Sequence, residues 1–420
     1  MRHNVFSRVF RHILAPTVVF LLLGGGWAQT VNVIYSFAGG VDGDYPDTDL
    51  VADLSGNIYG TTVLGGTYGS GTVFMLSPDG NGGWTHTVLY NFTSGADGGQ
   101  PYQGVTCAYP ECEFSVTTLY GAAASGGSGS ACEGGCGVVY QLSNNGGVWT
   151  ETVLHNFTGG KDGSRPRNSV VAGLANNLYG MTPTGGTYGF GTIYQVRGSD
   201  FRVLHEFTGG ADGASGPTDR LFYTYDKAHL LGVTTAGGAY GAGTAFELNS
   251  VSGAKGQWTF NTLYSFAGTP DAGFPYSAII FDQNKNIYAT TYSGGANNLG
   301  SVYQLHGTEL GYLERVLYSF NSGIDGKSPL GNLVLAFDQA LYGTTSAGGT
   351  ANAGTVFKLT PNGDGTWSES FAYSFQGAPD ASLPYNGMVG AKLGIVNTTY
   401  YGATISGGAN NHGAIYEFVP

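Results

Sequence analysis

Charge is scarce in this chain of 420 residues. Only 10% of residues are Asp, Glu, Lys or Arg, against about 25% in ordinary soluble domains. Lys and Arg together number 16 against 28 acidic residues. That balance argues against nucleic acid or anionic membrane as partners. Long apolar runs are missing beyond residue 23, and no segment after it repeats with a helical period. Catalytic signatures are missing as well. There is no H-x-x-x-H, H-E-x-x-H or G-x-S-x-G, and glycine stretches such as residues 65–71 lead into no helix and so form no phosphate loop. Cysteine is limited to four, all between Cys107 and Cys136.

The N-terminus reads as a targeting segment. Arg2, Arg8 and Arg11 precede an apolar run, residues 13–23, that is too short to span a bilayer. Small residues at Gly26 and Ala28 suit cleavage after Ala28. Residues 1–28 are therefore expected to be a signal peptide and residues 29–420 a single exported domain. Cleavage removes three of the 16 basic residues and no acid, leaving 13 against 28, a net charge of −15.

What is abundant is glycine, with 73 residues, and aromatics, with 28 Tyr and 23 Phe. They recur in order. A Tyr-Gly step falls at Tyr59, Tyr120, Tyr179, Leu231 (a substitution), Tyr288, Tyr342 and Tyr401. A double glycine follows each one. A further glycine opens the next strand at Gly71, Gly137, Gly191, Gly243, Gly300, Gly354 and Gly413. An aromatic strand then ends at Phe37, Phe92, Phe157, Phe207, Phe266, Phe320 and Phe375. A loop with Asp and then Pro comes after it, at Asp42/Pro46, Asp97/Pro101, Asp162/Pro166, Asp212/Pro217, Asp271/Pro275, Asp325/Pro329 and Asp380/Pro384. Four markers agree on seven units.

One unit reads as four short strands. In residues 328–375 these are 332–337, 341–345, 355–359 and 367–375, separated by turns. Four antiparallel strands per unit of about 55 residues describe a propeller blade. The expected fold is all-β, a seven-bladed β-propeller. The lone strand at residues 31–37 is expected to complete the last blade, whose own strands end at residues 414–419. Such a joint removes exposed edges. Trp84, Trp149, Trp258 and Trp367 open strand four in their blades, with Tyr312 in that place in blade five, and are read as packing between blades.

The order of these motifs resembles kelch blades. It is closer to the GloVer tandem-repeat proteins, a choice-of-anchor family, in the unit LYGTT-x2-GG-x4-GTVF-x-L followed by LYSF and DG-x2-P. The resemblance covers residues 31–420. It implies export and commonly a C-terminal sorting segment, which residues up to Pro420 do not include. It implies no known reaction and brings no catalytic residues.

The cysteines sit in two places in blade two. Cys107 and Cys112 lie in its first hairpin, Cys132 and Cys136 in its lengthened loop before strand three. Strand two separates the two places by roughly 30 Å at ~3.3 Å per residue, too far for cross-pairing. The expected disulfides are Cys107–Cys112 and Cys132–Cys136, and no zinc site is expected because one would need all four together.

Candidate binding residues lie on one face, where the loops after strands two and four emerge together. The seven Asp, 42, 97, 162, 212, 271, 325 and 380, form an acidic rim able to meet sugar hydroxyls or calcium. Their repetition equally suits an Asx-turn role. Tyr68, Tyr188 and Tyr240 in the Gly-Gly loops offer rings for stacking on sugars. His155 and His205 replace the repeat's Tyr and read as packing variants. Irregular blades two and four are where a specific site is most expected. The reading is a secreted, periplasmic or surface-held binding module for extracellular glycan or an envelope protein, with no cofactor beyond calcium, and monomeric. The alternatives are a glycan hydrolase or lyase using rim carboxylates and a structural or adhesive protein.

Overall fold

The computed structural model describes residues 29–107, 116–214, 221–224, 228–251, 257–309, 311–390 and 399–420. It is an all-β propeller of seven blades, each an antiparallel sheet, and in the first six the strands neighbour one another in sequence order. Blade six shows the plan, with strands Val334–Leu335, Leu341–Thr345, Thr355–Pro361 and Trp367–Ser374. Its second strand lies where the sequence places it, and all of its residues are buried. A blade packs against neighbours on both sides, which is why LVLAF and TVF are apolar on both faces.

The first strand is shorter than residues 332–337. Asn332 leaves the ladder because its side chain is engaged elsewhere. Its Nδ2 donates to Asp49 Oδ2 of blade one at 3.1 Å, and its Oδ1 accepts the Ala278 N–H of blade five at 2.6 Å. At the other end the chain turns at Gln339, which has φ +64°, and leaves Phe337 85% exposed.

Blade seven takes Thr30–Ser36 as its outer strand, paired antiparallel with Ala414–Val419 from Thr30 opposite Val419 to Ser36 opposite Ala414. Blade five carries a further strand, Ala272–Pro275, on Ile287–Gly294, and in blade seven Ala381–Ser382 pairs in the same way with Ser406–Gly407. Among the described residues the helical turns are short 3-10 segments such as Gly40–Asp42, and no helix is long and apolar enough to cross a membrane.

A bulge lets one strand serve two neighbours. Every fourth strand carries one extra residue, as at Leu89 between Val88 and Tyr90 or Leu317 between Val316 and Tyr318. An extra residue re-phases the alternation of side chains. Trp84, before the bulge, therefore meets Tyr401 of the preceding blade edge-on at 5.6 Å. Phe92, after it, meets Tyr140 of the following blade at 5.0 Å. Tyr179–Trp258 and Tyr288–Trp367 repeat the first contact.

Two sequence markers turn out to be halves of one joint. A Cβ added to Gly71, which has φ +98°, would fall 2.6 Å from Pro101 Cδ of the next blade and 2.4 Å from the Thr62 carbonyl oxygen. Gly413 and Pro46 make the same contact between blades seven and one. In each described Asp/Pro loop the residue before the proline has positive φ, as at Tyr45, Gln100 and Leu383. Its N–H donates back to the preceding blade, Gln100 to Ser70 O at 2.9 Å and Leu383 to Ala353 O at 2.8 Å.

Candidate functional site

The seven rim Asp share one geometry. Each carboxylate accepts the N–H four residues before it and the polar ring atom seven residues before it. Asp97 accepts Thr93 N at 2.9 Å and Tyr90 OH at 3.1 Å. Asp380 accepts Gln376 N at 2.8 Å and Tyr373 OH at 3.0 Å. At Asp162 and Asp212 the ring is His155 or His205, whose Nε2 lies 3.2 Å and 3.0 Å from the carboxylate. These His thus do more than fill the place of Tyr, since they keep its hydrogen bond. Asp42, Asp271 and Asp325 accept Tyr35, Tyr264 and Tyr318 in the same way. Every rim carboxylate is committed to holding its own loop.

The next blade supplies a residue that matches the ring. His155 stacks on Phe201 at 3.7 Å and His205 on Phe260 at 3.9 Å. Where the ring is Tyr90, Tyr264 or Tyr318, the facing residue is Glu151, Glu314 or Glu369. At Tyr35 it is His86, stacked at 4.5 Å with its Nδ1 3.2 Å from Asp42. Burial, and then the adjacent Asp97, push the Glu151 carboxyl up to about 7. Burial and a hydrogen bond to the Asp271 carboxyl push Glu314 up to about 9. Burial is also the larger cause of the upward shift of Glu369, ahead of Asp325. Burial lowers the His86, His155 and His205 imidazoles despite their Asp partners.

The Gly-Gly loop aromatics stand exposed on three blades. Tyr68, Tyr188 and Tyr240 are 63%, 58% and 69% exposed. Tyr68 lies in electrostatic range of Tyr90 in its own blade, and Tyr240 of Tyr264 in its own. The Cys132–Cys136 disulfide is present in the blade-two loop. Cys107 is disulfide-bonded, and Cys112 lies outside the described residues, as does Pro217. Among the described residues no three His, Cys, Asp or Glu side chains gather as they would around a metal.

Side chains from different blades do converge at the mouth of the central channel, on the same face. They come from the segments around Pro46, Pro101, Pro166, Pro275 and Pro384. Tyr45 lies in range of Asp47, Tyr385, Tyr102 and Tyr276, and burial together with these neighbours pushes its phenol up to about 12. Burial raises the Asp47 carboxyl. A 2.7 Å hydrogen bond from Asn386 Nδ2 and the nearby Arg167 guanidinium pull the other way. The Arg167 guanidinium sits 5.2 Å above the Tyr102 ring. Below this ring of residues the wall is polar yet buried, with Thr48, Gln103, Ser169, Ser277 and Asn386 each no more than 8% exposed. The Gln103 carbonyl oxygen and the Ser169 hydroxyl have no hydrogen-bond partner among the described residues. Asn332 reaching Asp49, from blade six to blade one, crosses the channel at this depth.

Among the described residues the mouth brings together planar rings, the Asp47 carboxyl, the Arg167 guanidinium and amide groups. Its residues escaped the reading of the repeat because that reading followed the positions that stay constant. The position just after each proline is Asp47, Tyr102, Arg167, Thr218, Tyr276, Leu330 and Tyr385. Its variability is the signal that could have found the site.

The profile of the Gloeobacter/Verrucomicrobia repeat matches residues 109–257 and 226–416. No curated protein matches the chain. Among solved structures, a putative 6-phosphogluconolactonase from Bacteroides uniformis is 11% identical, with 82% of this chain and 88% of that one covered at a TM-score of 0.50. A hypothetical selenium-binding protein from Sulfolobus tokodaii is 12% identical, with 75% and 74% covered at a TM-score of 0.50. At such identities the likeness concerns the fold alone.

Proposed function

Because this chain belongs to the Gloeobacter/Verrucomicrobia repeat family, and its repeats build a whole propeller, we propose that it is an exported binding module. It takes an extracellular glycan at the mouth of its channel, on the face that carries the Asp-Gly and Gly-Gly loops. The observation that carries this reading is the convergence of Tyr45, Tyr102, Tyr276 and Tyr385 around Asp47 and Arg167. Tyrosine rings present large apolar faces to the C–H faces of sugars and keep a polar tip for their hydroxyls. The planar amide, carboxyl and guanidinium groups supply directional hydrogen bonds. Nearly identical blades make a scaffold, and the variable post-proline residues make the channel mouth asymmetric. Export is supported by the basic and apolar start of the chain and by the disulfide-bonded cysteines.

The test is co-sedimentation of residues 29–420 with insoluble polysaccharides and cell-wall material, with and without calcium. Retention by one glycan class is expected. The supernatants are assayed for reducing ends, and their release would replace the binding module by a hydrolase. Retention by no glycan overturns the glycan reading and favours a protein partner.

A further inference from the structure

A second concavity lies on the opposite face, where the strand-one hairpins emerge. It has a volume of about 770 Å³ and runs from blade four to blade six. It opens where the repeat fails. In six blades the second strand carries a Tyr that is at most 9% exposed and plugs the seam to the next blade. Blade four has Leu231 there. Its partner at the head of the next fourth strand is Tyr312, where blades one, two, four and six use Trp. Both smaller residues line the concavity.

The rest of the lining combines Phe222, Phe281 and Phe337 with polar groups, among them the carboxylates Glu247 and Asp282 and the side chain of Lys285. Phe222 and Phe281 meet at 5.0 Å and 47°. Phe337, at the blade-six hairpin tip, stands 85% exposed. The Glu247 carboxylate lies opposite Leu231 in the ladder and accepts from Asn249 Nδ2 at 3.0 Å, with His229 Nδ1, which hydrogen-bonds Asn249 Oδ1, 3.0 Å from its other oxygen. Asn249 and His229 orient the carboxylate, which lines the groove and can accept about four hydrogen bonds in all. The second carboxylate in the lining, Asp282, is used up by four hydrogen bonds from Asn284, Asn286 and Tyr288.

Aromatic faces beside an oriented carboxylate attract an organic cation, through the ring quadrupoles and the charge together. A cavity of this size holds a small molecule rather than a metal ion. We propose that this groove binds a small organic ammonium ion carrying an apolar body, with the ammonium at Glu247 and the body against Phe222, Phe281 and Phe337. The site is independent of the channel mouth and of any glycan bound there.

The probe is benzyltrimethylammonium, titrated by calorimetry into residues 29–420, with benzyl alcohol as the neutral comparator. Saturable binding of the cation is expected, with the alcohol at least about tenfold weaker, as one or two cation–π contacts would give. Leu231→Tyr restores the residue used by the other blades, so the fold is retained and the groove is filled. Binding should then fall by about tenfold or more, while glycan retention and the melting temperature hold. Glu247→Gln should weaken the cation and leave the alcohol unchanged. Should Leu231→Tyr fail to fold, Phe337→Ser at its exposed tip makes the same test and should weaken the cation several-fold. Absence of saturable binding by 10 mM, equal affinity for the two probes, or an unchanged affinity in the filled groove each overturns the proposal.

Discussion

Glu314 is the residue at which a single atom's change should be most visible in stability. Its carboxyl is buried between blades four and five and shares a hydrogen bond with the Asp271 carboxyl, so one of the two must carry a proton. Its folded value of about 9 stands above the usual 4.5. The folded protein therefore holds a proton between these values that the unfolded chain releases. Stability must fall as pH rises across that window and be regained as pH drops toward 4.5. At pH 8 the window is ~3.5 units, which at ~1.4 kcal/mol per unit sets a ceiling of ~5 kcal/mol. The carboxyl keeps partial solvent contact, and screening reduces this to ~2 kcal/mol. Glu314→Gln retains a donor toward Asp271 and never ionises. The variant should match the parent at pH 5 and exceed it at pH 8 by ~2 kcal/mol, which is ~2–3 °C in melting temperature for a domain of this length. Thermal melts by circular dichroism across pH 5 to 9 read this directly. A difference that stays constant with pH, or a variant less stable at pH 8, refutes the reasoning.

Other perturbations separate scaffold from site. Asp97→Ala removes the acceptor for Tyr90 and Thr93 and should cost ~2–4 kcal/mol in denaturant unfolding, and Asp380→Ala should behave likewise. Gly71→Ala forces a Cβ onto Pro101 at positive φ and should cost at least ~2 kcal/mol, the outcome to check being a lowered midpoint or insoluble protein. Cys132→Ser with Cys136→Ser opens only a short loop, so the loss should stay within ~2 kcal/mol by chain entropy. N-terminal sequencing of exported protein should begin at Gln29, and a retained Met1 would remove the targeting reading.

The architecture was legible because its markers are physical necessities repeated seven times. Gly71 and Pro101 are fixed by one backbone approach, and Asp97 with Tyr90 by one loop. Each therefore recurs at constant spacing. Strand two of blade six was read to the residue, since burial on both faces leaves no freedom. Strand one was overdrawn, because Asn332 looks like the start of an apolar run and instead reaches across the channel. The bulge in every fourth strand left no trace, as Leu89 and Leu317 look like ordinary strand residues. The pairing of His155 with Phe201 and of Tyr264 with Glu314 joins different blades, and linear spacing does not disclose it. The channel mouth stayed hidden for a related reason: a repeat is found by what stays the same, whereas Asp47 and Arg167 each occur in one blade only. Leu231 did stand out in sequence. What it does there, opening a groove on the far face, depends on a neighbour 81 positions later in the chain, Tyr312.

The measurement that bears most directly on the mouth as the binding site compares two variants against the retained glycan. Tyr102→Ala combined with Arg167→Ala alters side chains that hold no loop, so the melting temperature should stay within ~2 °C while glycan affinity falls by about tenfold or more. Asp97→Asn alters the rim and should lower the melting temperature with affinity unchanged in the remaining folded protein. A mouth variant that binds like the parent, beside a rim variant that no longer binds, would contradict the account and return the site to the Asp loops.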